Sequence, residues 1–401
     1  MVLTNGGTRL KYASYNIKIN SNFKEPLFYF AMILNSLYMS IYITVYDVPF
    51  STAFAVLIFA LYLSVILLSI RTRKEVGIFL VLSILCLACS YVTHDTLLFR
   101  IVYMILATRD INKRKLIEFL KNTYILILII VPLTCFFRGT ESIYSDIIPG
   151  VGRTLGRRFM LGFDGPNRLG VIWICALSMI LLKRGKSSLK KDTVLAIITV
   201  GLYYLTKSRS LAITGGFILI FPYFVKMTGK LKKYILSKSF IVLILIIFVG
   251  ITAYFSINAV DRDSIFNVIL NNRLVHFQDV INNEELTIFG STANFGVYVG
   301  LDNSYFLNFF KRGIVFSILY LVAVIRLAYI VAQKKDIIQI DILCTYIILA
   351  FVQDVIQHPY INVIYFLIMI NYFDFFGIKS KCRIRGFNSY DTKDNTLLLV
   401  R

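Results

Sequence analysis

Apolar residues in this chain arrive in blocks, near 27–46, 50–70, 76–93, 95–108, 117–137, 167–182, 192–206, 210–225, 239–257, 304–325, 337–357 and 361–377. About twenty apolar residues in helical form cross the hydrocarbon core of a bilayer. Inside that core every backbone polar group needs an internal partner, so such a block folds as a helix. With 57% hydrophobic and only 16% charged residues, the chain lacks the polar faces of a soluble domain. The reading is an all-α, polytopic integral membrane protein of about twelve transmembrane helices, a single membrane domain over 1–401. The fourth block is short for a crossing and is expected to be tilted or broken. Residues 1–26 lack the pattern of a cleavable signal, so the first block is expected to remain as a helix.

The basic residues set the orientation. A net charge of +21 would suggest nucleic acid as the partner of a soluble protein. Here the lysines and arginines cluster in short segments between alternate apolar blocks, which is how topology is encoded, and no nucleic-acid partner is implied. With both termini cytosolic, 31 of the 43 basic residues fall on the inner side. Two outer connections are enlarged, the outer loop 138–166 and the larger 258–303, and loops of that length usually carry function. No cytosolic segment has room for a nucleotide-binding domain, and no GxxxxGK[ST] pattern is present. The six cysteines show no disulfide framework, and Cys86 and Cys89 are expected to be packing residues; no metal or cofactor is implied.

Ten of the twelve outer basic residues are arginine, whereas lysine predominates inside. Lysine suffices for orientation; arginine adds a planar fork that binds phosphate or carboxylate oxygens in pairs. The densest group runs from Arg153 through Arg157, Arg158, Gly162, Gly165, Pro166, Asn167 and Arg168 to Gly170. Glycine turns leading to a proline at a helix start would expose backbone amides to an anion beside Arg157 and Arg158. A second group is Thr206-Lys207-Ser208-Arg209-Ser210, two cations in a short outer turn. In the larger loop, apolar residues recur at helical spacing around Phe266 to Ile281, as in a helix lying on the membrane surface. There Arg273, His276 and Asp279 share one side. Asp302 and Asn303 precede the tenth block, where they can cap a helix or handle a sugar hydroxyl. His94 and His358 are expected to make local hydrogen bonds near Asp95 and Asp354.

These residues resemble those of the Wzy-type polysaccharide polymerases, relatives of the O-antigen ligases. The resemblance rests on span count, orientation and the two loops, and locally on Arg158–Gly170 (RFMLGFDGPNRLG), Thr206–Ser210 (TKSRS) and Asp302–Tyr305 (DNSY) with Gly313 beyond. Arg153 to Gly170 and Arg273 to Gly290 each enclose sixteen residues, one more than the family's Arg-x15-Gly pattern. The resemblance implies metal-independent glycosyl transfer on the outer face of the cytoplasmic membrane, joining polyprenyl-diphosphate-linked oligosaccharide repeats into capsular, exo- or O-antigen polysaccharide. A flippase and a chain-length regulator would be its partners, with membrane lipid around it. Arg157, Arg158, Lys207 and Arg209 would then hold diphosphate and sugar, with Asn167 and Asn303 positioning them, and Arg273, His276 and Asp302 would serve the chemistry. A ligase passing finished glycan to lipid or protein, and a lipid-linked oligosaccharide flippase, are the alternatives.

Overall fold

The computed structural model describes residues 21–42, 51–69, 72–138, 144–146, 157–258, 273–292, 302–356 and 358–378. Both termini, about half of the two enlarged loops and the side chains of Arg157 and Arg273 lie outside the described residues, as do Phe266, Ile269 and Leu270.

Among the described residues the chain is helical, apart from one two-stranded ribbon. The helices used below are α1 (Ser21–Tyr42), α2 (Ser51–Leu67), α3 (Arg73–Thr93), α4 (Leu97–Ala107), α5 (Lys113–Arg138), α6 (Pro166–Arg184), α7 (Leu189–Thr206), α8 (Arg209–Met227), α9 (Lys238–Ile257), α10 (Arg273–Asn283), α11 (Ser304–Lys334), α12 (Ile337–Val352), α13 (Val363–Ile370) and α14 (Tyr372–Phe376). Six of them, α3, α5, α6, α8, α9 and α11, are long and apolar enough to cross a membrane. Shorter apolar helices occupy Ala53–Leu67, α4 and α12.

Local signals explain the helix starts. Thr72 and Glu75 form a capping box on α3, Asp336 accepts from the amides of Ile338 and Gln339 at the head of α12, and Asn362 does the same for Ile364 at α13. Lys183 and Arg184 end α6 and Lys226 ends α8, where the negative end of the helix dipole favours cations.

Burial separates the helices into an inner and an outer set. In α6 and α13 most side chains are buried, and in α4 all but Val102. By contrast α3 and α9 expose Leu80, Val81, Ile84, Leu243, Ile246 and Ile247. Apolar exposure of this extent is costly in water and costless in lipid. The long helices together with this apolar rim identify a membrane protein. The short block at 95–108 becomes α4, eleven residues against α2, α3 and α13, a length of about 16 Å at 1.5 Å per residue. It therefore serves as an inner core element.

Ion pairs gather one end of the bundle. Lys24 meets Asp110 at 2.9 Å, Lys115 meets Glu25 at 3.1 Å, Lys183 meets Glu118, and Lys334 meets Asp374 at 2.6 Å. Arg109 and Glu75, both buried, pair at 2.6 Å between the α4–α5 turn and the head of α3. The helix ends pointing the other way, α3 and α9 at their C-termini and α6, α8 and α11 at their N-termini, meet at the opposite end.

Candidate functional site

At that opposite end the three sequence groups converge. The strand Tyr144–Asp146 pairs antiparallel with Arg157–Phe159, aligning Ser145 with Arg158 and Asp146 with Arg157. The chain then turns through Gly162 and Gly165 into Pro166 at the first position of α6. Arg158 Nε donates to the Thr206 carbonyl at 2.8 Å and its Nη2 to Asn167 Oδ1 at 3.2 Å, so this guanidinium joins the ribbon to the end of α7 and the start of α6. Lys207 caps α7 in the left-handed region, exposed, with its ammonium 5.0 Å from the Tyr204 ring centre. Ser208 caps α8, Arg209 opens it as an exposed residue, and Ser210 Oγ accepts from Gln353 Nε2 at 3.2 Å.

The Asp302–Tyr305 group works as a knot. Asn303 is buried; its Oδ1 accepts from the Phe306 amide at 3.0 Å and its Nδ2 donates to Thr252 Oγ1 at 3.1 Å. Capping is thus the role its contacts fill, while Asp302 beside it stays half-buried. Ser304 Oγ donates to the Gln353 carbonyl at 2.7 Å and accepts from the amides of Val355 and Ile356 at 2.6 and 3.1 Å. These bonds hold a non-helical break, described at residues 353–356 and 358–362, between α12 and α13. Irregular backbone at such a place needs polar partners from its neighbours, and Ser304 supplies them.

The break carries Asp354 and His358, which meet Arg168 from the first turn of α6. Arg168 Nη1 donates to the Asp354 carbonyl at 3.3 Å, and Nη2 lies 3.3 Å from His358 Nε2. The same Nε2 lies 3.4 Å from Asp354 Oδ2. One imidazole nitrogen thus faces both a cation and a carboxylate, and its tautomer decides which it engages. A π turn in α11, Asn308–Arg312, adds Lys311 and Arg312; π turns frequently mark functional sites. Arg312 is buried and pairs with Asp95 at 2.7 Å. Lys311 lies within electrostatic reach of Arg312, Asp354 and Asp95, and Asp95 within that of Arg100.

Burial pushes Asp354 up, but the His358 hydrogen bond and the charges of His358, Arg168 and Lys311 outweigh it and hold the carboxyl below its usual range. Asp95 behaves likewise, burial being outweighed by Arg312. His358 is held below its ordinary value by burial and by Arg168, against the opposing pull of Asp354. It is therefore neutral at neutral pH and able to take a proton. Because its native pKa lies below the unfolded value of about 6.5, the unfolded chain binds more protons just below that pH, and stability falls as pH drops through this window. Purified protein is expected to melt at progressively lower temperature from pH 7 to pH 5, with a shallower dependence in His358→Gln. Equal slopes in the two proteins would reject the assignment.

No family model, curated protein or solved structure matches the chain.

Residue by residue, the cluster contains Arg168, Lys311, Arg312, Asp95, Asp354 and His358, with Arg158, Asn167, Ser210 and Asn303 binding its scaffold together. Arg273 opens α10, whose Leu274, Phe277 and Val280 are buried, Phe277 stacking on Phe306 at 4.3 Å. Among the described residues of the larger loop Arg273–Asn283 is helical and packs on α9 and α11, while the first part of the expected surface helix lies outside the described residues. His276 there pairs with Asp279 at 3.5 Å on the more exposed side. Asp354 and His358 carried a visible signal, two titratable groups four residues apart at the end of an apolar block; their partnership with Arg168 arises only in the fold.

Proposed function

We propose that this protein is a membrane glycosyltransferase of about twelve crossings that polymerises polyprenyl-diphosphate-linked oligosaccharide repeats on the outer face of the cytoplasmic membrane. One observation carries the reading. Four cations, Arg100, Arg168, Lys311 and Arg312, share two carboxylates, Asp95 and Asp354, in a cluster that is buried or half-buried. Among the described residues Arg100 Nε and Nη1 and Arg312 Nε have no hydrogen-bond acceptor. Uncompensated buried charge is expensive, and two surplus cations with unused N–H groups match a ligand carrying about two negative charges in forked oxygens.

In this reaction an acceptor hydroxyl attacks the anomeric carbon of the donor sugar and gives its proton to His358 Nε2. The bond from that carbon to the diphosphate oxygen breaks, and the leaving diphosphate takes the electron pair. Arg168, Lys311 and Arg312 stabilise its developing charge, and Asp354 stabilises the imidazolium. We assign Arg209, Arg157 and Arg158 as further diphosphate contacts of this reaction, and Asp302 and His276 as sugar contacts.

Deleting the gene tests the reading. Polymerase activity predicts that the glycan ladder collapses to a single repeat, restored by the wild-type gene and not by Arg209→Ala. An intact ladder left on the carrier lipid would assign transfer of finished glycan instead. Cysteines introduced at Asp302 and Arg209 should react with impermeant reagents from outside; reaction from the cytosolic side alone would defeat the proposal.

A further inference from the structure

The lysine end of the bundle contains a second, separate basic site. Between the end of α8 and the start of α9 the chain makes a short turn, Gly229–Leu231, and a single helical turn, Lys232–Ile235, which lies beside the C-terminal part of α11. A cavity of about 690 Å³ opens there, and Lys230, Lys232, Lys233, Lys238 and Lys335 line it together with Tyr329.

The lysines at this end fall into two groups, those neutralised within the fold and those that are not. At the same end, Lys24, Lys115, Lys121, Lys183 and Lys334 each have a carboxylate partner. The five cavity lysines have none among the described residues. Asp336, next in sequence to Lys335, spends its carboxylate on the amides of Ile338 and Gln339 and on the Gln339 side chain. Lys238 and Lys233 rest instead over the rings of Tyr329 and Tyr234, at 5.0 and 4.8 Å from the ring centres. Orientation alone requires lysines at this end but gives no reason to gather five of them around one hollow with no acid beside them among the described residues. Their mutual repulsion is relieved by an anion.

The rim defines what kind of anion. Met227, Leu231 and Tyr234 are largely exposed on the same short segment, with Ile235 and Leu236 turned inward as its anchor. Apolar side chains beside lysines at a helix end form the pattern of the membrane interface, where stems lie along hydrocarbon and ammonium groups reach the headgroup layer. The occupant therefore carries phosphate oxygens at one end and an apolar body at the other.

We infer that this cavity binds the headgroup of an anionic phospholipid, with the lysines on its phosphate and the acyl chains against Met227, Leu231 and Tyr234. The site is distinct from the Arg168 cluster at the opposite end, and the inference stands whether or not glycosyl transfer is the activity.

The test is native mass spectrometry of the full-length protein after equilibration with equal amounts of phosphatidylglycerol and phosphatidylcholine. Wild-type protein is expected to retain phosphatidylglycerol selectively. K232Q/K233Q and K238Q/K335Q should each weaken that retention, by about fivefold in affinity for each lysine removed. K232R/K233R, which preserves charge, should retain the lipid, as should K190Q/K191Q in a neighbouring basic segment. Equal retention of the two lipids by wild-type protein overturns the inference even if a variant fails to fold. Displacement of the lipid by inorganic phosphate at equal concentration would show a site for free anions and overturn the lipid assignment.

Discussion

Arg168→Ala is expected to abolish long polymer in cells while the protein still inserts in the membrane, with the polymerisation rate lowered by about 10²–10³-fold. Its guanidinium is the only one among the described residues that touches both Asp354 and His358, through the Asp354 carbonyl at 3.3 Å and His358 Nε2 at 3.3 Å. Removing it deletes one charge that would face the leaving diphosphate and also frees His358 from the cation that lowers its pKa. The second effect has a definite sign. With Arg168 gone, burial still pushes His358 down but Asp354 pulls it up unopposed by that neighbour, so the imidazole protonates at higher pH. Residual activity should therefore show its acid limb displaced upward in pH. A purely structural role would lower activity at every pH without moving the limb. Arg168→Lys keeps the charge but loses the fork, and should fall between wild type and Ala. Glycan gels of complemented deletion strains, and the pH profile of purified protein, read both effects; full-length ladders in Arg168→Ala would refute the assignment.

The helical blocks were legible because the signal is local: a run of apolar residues has one backbone solution in lipid. Asn303 was also legible as a cap, since a polar residue just before an apolar block satisfies the amides that follow, as its bond to Phe306 shows. The break between α12 and α13 was harder to read. Val352 and Val363 flank it with apolar character, and bonds from residues distant in sequence, Ser304 and Arg168 among them, satisfy its irregular backbone. The partnership of Asp354 and His358 with Arg168 follows from that break, so a local hydrogen bond was as far as the sequence could lead. Arg158 illustrates the same limit from the other side. Its position in an arginine-rich turn suggested an anion, and in the fold two of its N–H groups hold Thr206 and Asn167. The π turn at Asn308–Arg312 had no local signal at all, because it depends on a crossing segment.

That crossing segment supports the largest expected effect on folding. Residues 287–291 lie directly across the π turn: the Ser291 amide donates to the Lys311 carbonyl at 3.2 Å, and the amides of Ile314 and Val315 donate to the carbonyls of Thr287 and Ile288 at 3.1 Å. Two glycines meet at the crossing. Gly313 has φ +83° and ψ 171°, a region essentially reserved for glycine, and a methyl group there would sit 2.4 Å from the Gly290 amide nitrogen and 2.6 Å from the Ile288 carbonyl. Gly290 has φ +108°, and its methyl would meet the Lys311 carbonyl at 2.7 Å. Because the obstacles are backbone atoms, no rotamer change relieves them. Gly313→Ala should cost about 1–3 kcal/mol in backbone strain and about 1–3 kcal/mol in overpacking. The two segments must then separate, moving Lys311 and Arg312 away from Asp95 and Asp354. Gly313→Ala is expected to lower the melting temperature by several degrees and to abolish activity. Gly250→Ala in α9 is the control, since nothing lies within 4 Å of a methyl group there and alanine is the better helix former. A Gly313→Ala protein that melts with the wild type and retains full activity would mean that the crossing does not hold the cations in place.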